Sequence, residues 1–189
     1  MNKLIIKKYL LFFFLILIIG IISGIIYYYN LDSNIKEGVI NTLNDYSIVK
    51  VNNIFKHLLI LIIFLILSFF VVGIPLTIFY LYFEGVSIGF LCTIFTIKYG
   101  VNGLFYSVIY NLFTKFVFIF LLLIFLKKII GILKILVNRL IKHNYYTFKT
   151  DLILKTKSSL LFLLIIFIND LIIYLTSKSF LMLFINLLK

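Results

Sequence analysis

Cysteine occurs once, at Cys92, so the chain can form no internal disulfide and no thiolate metal cluster. Proline also occurs once, at Pro75, and alanine and tryptophan are absent. Only 6 acidic residues stand against 18 Lys and Arg, and the histidines are limited to His57 and His143. These shortages exclude whole classes of chemistry. Intramembrane proteolysis by carboxylates needs paired acids, or Glu and His at helical spacing, and the six acids here are unpaired in sequence. No phosphate-binding glycine loop, nucleophile elbow or His-Glu-x-x-His is present, and His57 and His143 fall at the edges of apolar runs far apart in the chain. The sequence therefore points to no enzyme, no cofactor and no metal, with Cys92 read as helix packing.

What is abundant is apolar surface. The chain is 64% hydrophobic and 13% charged, with a mean hydropathy of +1.23, whereas soluble domains are about half apolar and about a quarter charged. In water, a domain of 189 residues would still leave roughly a third of its unfolded surface exposed, so the excess must face lipid. The net charge of +12 does not mark a nucleic-acid binder, because the basic residues bracket apolar runs and form no aromatic-interleaved patch. The wealth of Ile, Phe, Lys, Asn and Tyr suggests an AT-rich bacterial genome, in which a Phe or Tyr stripe carries little information.

The resulting expectation is an all-α, polytopic membrane protein with about five transmembrane helices in one domain over residues 1–189. Lys3, Lys7 and Lys8 precede the first span, about 9–29, which reads as an uncleaved anchor. Its Gly20 and Gly24 form a small-xxx-small pair that allows close helix approach, and Tyr27, Tyr28 and Tyr29 suit an interface. Residues 30–54 hold Asp32, Glu37 and Asp45 against Lys36 and Lys50, are rich in Asn and Ser, and read as an exposed loop too short for its own core. Around Pro75 two parses stand. A kinked second span over 55–83 would turn at Glu84-Gly85 and leave a short third helix, 85–98; alternatively the turn lies at Gly73-Ile74-Pro75, giving spans 55–74 and 76–97 with Glu84 in the membrane. Tyr99-Gly100-Val101-Asn102-Gly103 then forms a turn before span 104–126, and a last span covers 159–180.

Orientation follows from Lys and Arg in short loops. The amino terminus and segment 127–157 are strongly basic and 30–54 is nearly neutral, which places the first two inside and the loop outside. Within 127–143, Lys127, Gly131, Lys134, Asn138 and Lys142 recur at intervals of three and four, opposite Ile130, Leu133, Val137, Leu140 and Ile141. This pattern predicts an amphipathic helix at the inner interface, its face of Lys127, Lys134 and Lys142 near anionic headgroups, with partner docking as the alternative. Lys115 and Asp170 fall mid-way along antiparallel spans, and the expense of isolated charges in lipid predicts a Lys115–Asp170 ion pair, or, less simply, a proton or ion relay. Glu84, Gly85 and Gly89 combine a carboxylate with a second small-xxx-small face, read as a turn with close packing.

The stretch GIPLTIFYLYFEGVSIGF followed by YGVNGLFYSVIYNLFTKF resembles the stage II sporulation protein M family. The matching positions are Gly73, Pro75, Gly85, Gly89, Gly100, Gly103 and Asn111, and the five-span plan, outer loop and chain length resemble that family over nearly all residues. Its members tend to carry a proline shortly before the Asn, where this chain has Ile109 and Tyr110. The resemblance implies a scaffold, not itself a hydrolase, that holds membrane-anchored or extracytoplasmic cell-wall hydrolases while peptidoglycan is remodelled during forespore engulfment, at a septal or engulfing membrane. Besides the bilayer and such hydrolases, a second copy of the chain is a compatible partner; nucleic acid is not. The alternative is a small transporter or permease subunit using Lys115 and Asp170.

Overall fold

Long runs of Leu, Ile and Phe can satisfy their backbone hydrogen bonds in lipid only by becoming helical. The computed structural model describes residues 3–42, 51–70, 72–142 and 148–188, and all of these except 30–32 and Val72 are assigned to helices. No strand occurs among the described residues. Residues 43–50 of the expected outer loop, and His143 with the rest of 143–147, lie outside them, as do the side chains of Lys3, Lys7, Lys8 and Lys142.

The elements are α1 (Lys3–Tyr29), α2 (Ser33–Thr42), α3 (Val51–Leu67) with a 3-10 turn at Ser68–Phe70, α4 (Gly73–Asn111), a π-helical turn (Leu112–Phe116), α5 (Val117–Lys142) and α6 (Phe148–Leu188). Three stretches are long and apolar enough to cross a membrane, Leu11–Tyr29, Gly73–Arg139 and Phe148–Ser177, and a shorter apolar helix covers His57–Phe70. Their outward residues agree with that reading. On α1, Leu11, Phe12, Phe14, Ile19 and Ile22 are all exposed, a row that water would penalise and lipid does not.

Two glycines decide where the chain turns. Gly73 opens α4, and a Cβ there would stand 2.7 Å from Ser68 Cα, so only a glycine lets the new helix start this close to the old one. Pro75 then falls in the first turn of α4, where its missing N–H has no carbonyl to serve. The turn therefore lies at Gly73-Pro75. The parse with a turn at Glu84-Gly85 is not observed, because α4 runs through both residues. Gly100 breaks α4 with φ 64° and ψ −147°, a region essentially closed to residues with a Cβ, and so separates an arm over 73–99 from the helix that resumes at Val101.

The chain divides into two interleaved units, the first comprising Met1–Lys50, Ile78–Val117 and Tyr174–Lys189, the second Val51–Thr77 and Phe118–Ile173. In the first, Phe13, Gly20, Gly24 and Tyr28 form the buried stripe of α1. Tyr28, Ile94, Phe95 and Tyr110 make its core, joined by Val39 and Ile40 of α2 and by Phe180. The described part of the expected loop is thus folded down: Lys98 Nζ donates to Ile40 O at 3.2 Å and Lys36 Nζ to Tyr29 O at 2.9 Å. In the second unit the buried apolar residues include Leu61 and Phe64 of α3, Leu122 and Ile129 of α5, and Leu163 and Ile166 of α6.

The basic segment departs from expectation. Residues 127–142 are the carboxyl-terminal part of α5, continuous with apolar 117–126, and α6 begins at Phe148, well before the predicted span at 159. The two form an antiparallel hairpin in which Lys128 bonds Ser158, the Lys155 stem lies beside Gly131, and Arg139 stacks 4.2 Å from the Phe148 ring centroid. Ile129 and Ile132 are fully buried, while Val137, expected on the apolar face, is exposed. The same three-and-four spacing suits a neighbouring helix as well as a membrane surface, and here the neighbour is α6.

The Gly100 conformation makes a direct prediction: Gly100→Ala should lower stability in detergent by about 1–3 kcal/mol through backbone strain alone. Gly38→Ala, in α2 with open space around it, should be neutral or stabilise by up to about 1 kcal/mol. Reversible unfolding followed by circular dichroism measures both.

Candidate functional site

Charges and close-packing glycines converge in the first unit. Glu84 sits mid-helix on the 73–99 arm and Lys115 sits in the π-helical turn after Asn111; Lys115 Nζ lies 2.7 Å from Glu84 Oε2. The carboxylate side chain is 7% exposed and the lysine side chain 23%, so this is a part-buried, charge-assisted hydrogen bond. The expected Lys115–Asp170 pair is not formed. Lys115 takes Glu84 as its counter-ion, since the turn at Pro75 carries Glu84 into the apolar arm and the Gly100 break folds the next helix back along it.

Beside Glu84, small residues bring two backbones together. A Cβ on Gly85 would stand 2.6 Å from Leu17 O and 3.1 Å from Gly20 Cα, and Cβ atoms on Gly24 and Gly89 would collide with the backbones of Val86 and Ile21. α1 and the 73–99 arm therefore cross on the paired small-xxx-small faces of both helices, the arrangement in which packing substitutes for a hydrophobic drive that lipid does not supply. Gly103 likewise presses on the Phe95 backbone.

Toward the Gly100 break, Asn111 Nδ2 donates to Ser107 O at 2.9 Å and approaches Cys92 Sγ at 3.4 Å, while its Oδ1 is buried without a hydrogen-bond partner. Thr93 and Thr114 return their hydroxyls to the carbonyls of Gly89 and Tyr110, four residues back. These hydroxyls are satisfied within their own helices. The π-helical turn at Leu112–Phe116 is a rare element that recurs at functional positions; in this chain Lys115 lies within it.

The second unit holds a different pair. Asp170 of α6 is buried, and its Oδ2 lies 3.6 Å from His57 Nδ1 of α3, an ion-pair distance but not a hydrogen bond. The His57 ring packs on Phe118 with centroids 5.3 Å apart. Asn169 Nδ2, next in sequence, is buried without a hydrogen-bond partner. Of the basic face, Lys127 and Lys134 are exposed; Lys142 lies beyond the described side chains. Among the described residues, no three His, Cys, Asp or Glu side chains gather as metal ligands would.

The sequence reading missed the partners of both buried acids. A signal for the first existed: Glu84 and Lys115 are almost equidistant from Gly100, so a hairpin there juxtaposes them. His57 carried no such signal, because two further helices, α4 and α5, separate its helix from α6. No family model, curated protein or solved structure matches the chain.

The glycine contacts predict a graded response. Gly85→Ala and Gly89→Ala should each destabilise by about 1–3 kcal/mol through overpacking. Gly131→Ala, whose Cβ would meet only the end of Lys155 at 3.9 Å, should stay within about 1 kcal/mol of the parent. Unfolding of refolded protein in mixed micelles measures the difference.

Proposed function

We propose that the chain is a non-enzymatic membrane scaffold with five spans, α1, α3, the 73–99 arm of α4, the helix from 101 to 126, and α6. The observation that carries this reading is the use made of the buried acid and the glycines of the first unit: Glu84 is consumed by Lys115, and Gly20, Gly24, Gly85 and Gly89 by helix crossing. Groups spent on holding helices together do not line a path.

The five-span topology has support from contacts at one end of the first unit. Tyr28, Ile40, Tyr99 and Phe180 share a cluster, which is what an outward 30–42 segment, an outward turn at Gly100 and an outward end of α6 require. Lys and Arg then collect in the amino terminus and the α5–α6 hairpin, on the cytosolic side. By resemblance to stage II sporulation protein M, the role is to hold cell-wall hydrolases at a bacterial septal or engulfing membrane, with 30–54 as the extracytoplasmic contact.

A second reading, a small transporter subunit, draws on the His57–Asp170 pair, whose carboxylate has a buried oxygen free of hydrogen bonds. The two readings part on one substitution. Asp170→Asn should leave hydrolase co-purification intact if the chain is a scaffold, whereas replacement of residues 33–41 by a Gly-Ser linker should abolish it. Solute uptake lost in Asp170→Asn, with co-purification absent even in the parent, would reverse that assignment.

Topology is tested separately in a Cys92→Ser background. Single cysteines at Asn34 and Asn102 should react with an impermeant maleimide in intact cells, and one at Asn144 only after permeabilisation; labelling of the Asn144 position in intact cells would refute the odd number of crossings.

A further inference from the structure

The α5–α6 hairpin concentrates positive charge: Lys127, Lys128, Lys134, Arg139, Lys149, Lys155 and Lys157 stand against the single acid Asp151. Lys127, Lys134, Lys149, Lys155 and Lys157 are exposed and Lys128 is half-buried, and two of them, Lys128 and Lys155, pack along one flank of the hairpin. Lys128 donates its ammonium to Ser158 Oγ and lies 5.3 Å from the centroid of Phe162. The stem of Lys155 lies across Gly131, its Cδ 3.9 Å from where a Cβ would be. Gly131 is three residues beyond Lys128, and Ser158 three beyond Lys155, so both lysines cross the same helix–helix seam about one turn apart.

The residues that continue this flank away from the loop are apolar. On α5 they are Ile124 and Leu121, four and seven residues before Lys128; on α6 they are Phe162 and Ile165, four and seven beyond Ser158. Ile165 is exposed. Two ammonium groups and a hydroxyl thus sit at the head of an apolar strip. That combination matches an amphiphile with an anionic phosphate head better than it matches free phosphate, which has no use for the strip.

We infer that the Lys128–Ser158–Lys155 seam is a binding site for the headgroup of an anionic phospholipid, with its acyl chains along Leu121, Ile124, Phe162 and Ile165. This site differs from the face of Lys127, Lys134 and Lys142 that periodicity alone suggests, and it holds whether or not the protein gathers hydrolases. Lys149 and Lys157 project from other faces of α6 and provide a control with equal loss of charge.

The test is native mass spectrometry of the full chain in detergent, titrated with phosphatidylglycerol or with phosphatidylcholine of the same acyl chains. K128Q/K155Q should reduce bound phosphatidylglycerol by about tenfold or more relative to the parent. K149Q/K157Q should change it less than about twofold, and K128R/K155R should retain it. Inorganic phosphate should not displace the lipid. Circular dichroism checks that each variant is folded; if K128Q/K155Q is not, K155Q with S158A replaces it, the Lys128 ammonium being kept. Equal losses in the two charge-matched pairs, unchanged binding in the seam variant, equal retention of phosphatidylcholine, or displacement by phosphate would each overturn the assignment.

Discussion

A lysine and a glutamate placed in apolar helices are each expensive until they meet. In this chain they meet at 2.7 Å, Lys115 on Glu84, with the carboxylate almost wholly buried. Much of the first unit follows from that contact. It requires the 73–99 arm to run unbroken past Glu84, which requires the turn to lie at Pro75, and it requires the next helix to come back along the arm, which requires a break at Gly100. It also limits how far α1 can slide, since Gly85, the neighbour of Glu84, is one of the glycines on which α1 and the arm cross.

The glycine crossing and the ion pair do different work. In lipid, burying another leucine against a helix gains little, so association depends on fit and on polar contacts. Gly20, Gly24, Gly85 and Gly89 supply the fit by letting backbone touch backbone. The pair supplies register, because a shift of one residue along either helix would turn one charge toward the hydrocarbon. The contacts of the second unit are looser at this depth: His57 Nδ1 and Asp170 Oδ2 stand 3.6 Å apart, and Lys128, Ser158 and Phe162 do their joining nearer the basic end.

Helical class, an apolar composition suited to lipid, the small-residue faces and the turn at Tyr99-Gly103 were legible in the residues, because each depends on local chemistry. Buried faces were not. α1 is apolar on every side, so nothing in its pattern distinguishes buried Phe13 from exposed Phe12 or Phe14. Partner choice was also hidden: with few acids in the apolar runs, Lys115 could be matched to Asp170 by depth alone, and only the position of the Pro75 turn brings Glu84 within reach. The basic segment was legible only as a helix. Its periodicity reports one apolar face but not what covers it, and α6, helical from Phe148 onward, packs along it.

The most direct test is a double-mutant cycle on the pair, with Glu84→Gln, Lys115→Gln and the combined variant unfolded reversibly in mixed micelles. Each single change should destabilise by about 3–5 kcal/mol, because it leaves one buried charge uncompensated. The combined variant should lose clearly less than the sum, giving a coupling well above the ~0.5 kcal/mol scatter of independent sites. Additivity within that scatter would mean that the two side chains do not meet, and the register built on their contact would be wrong.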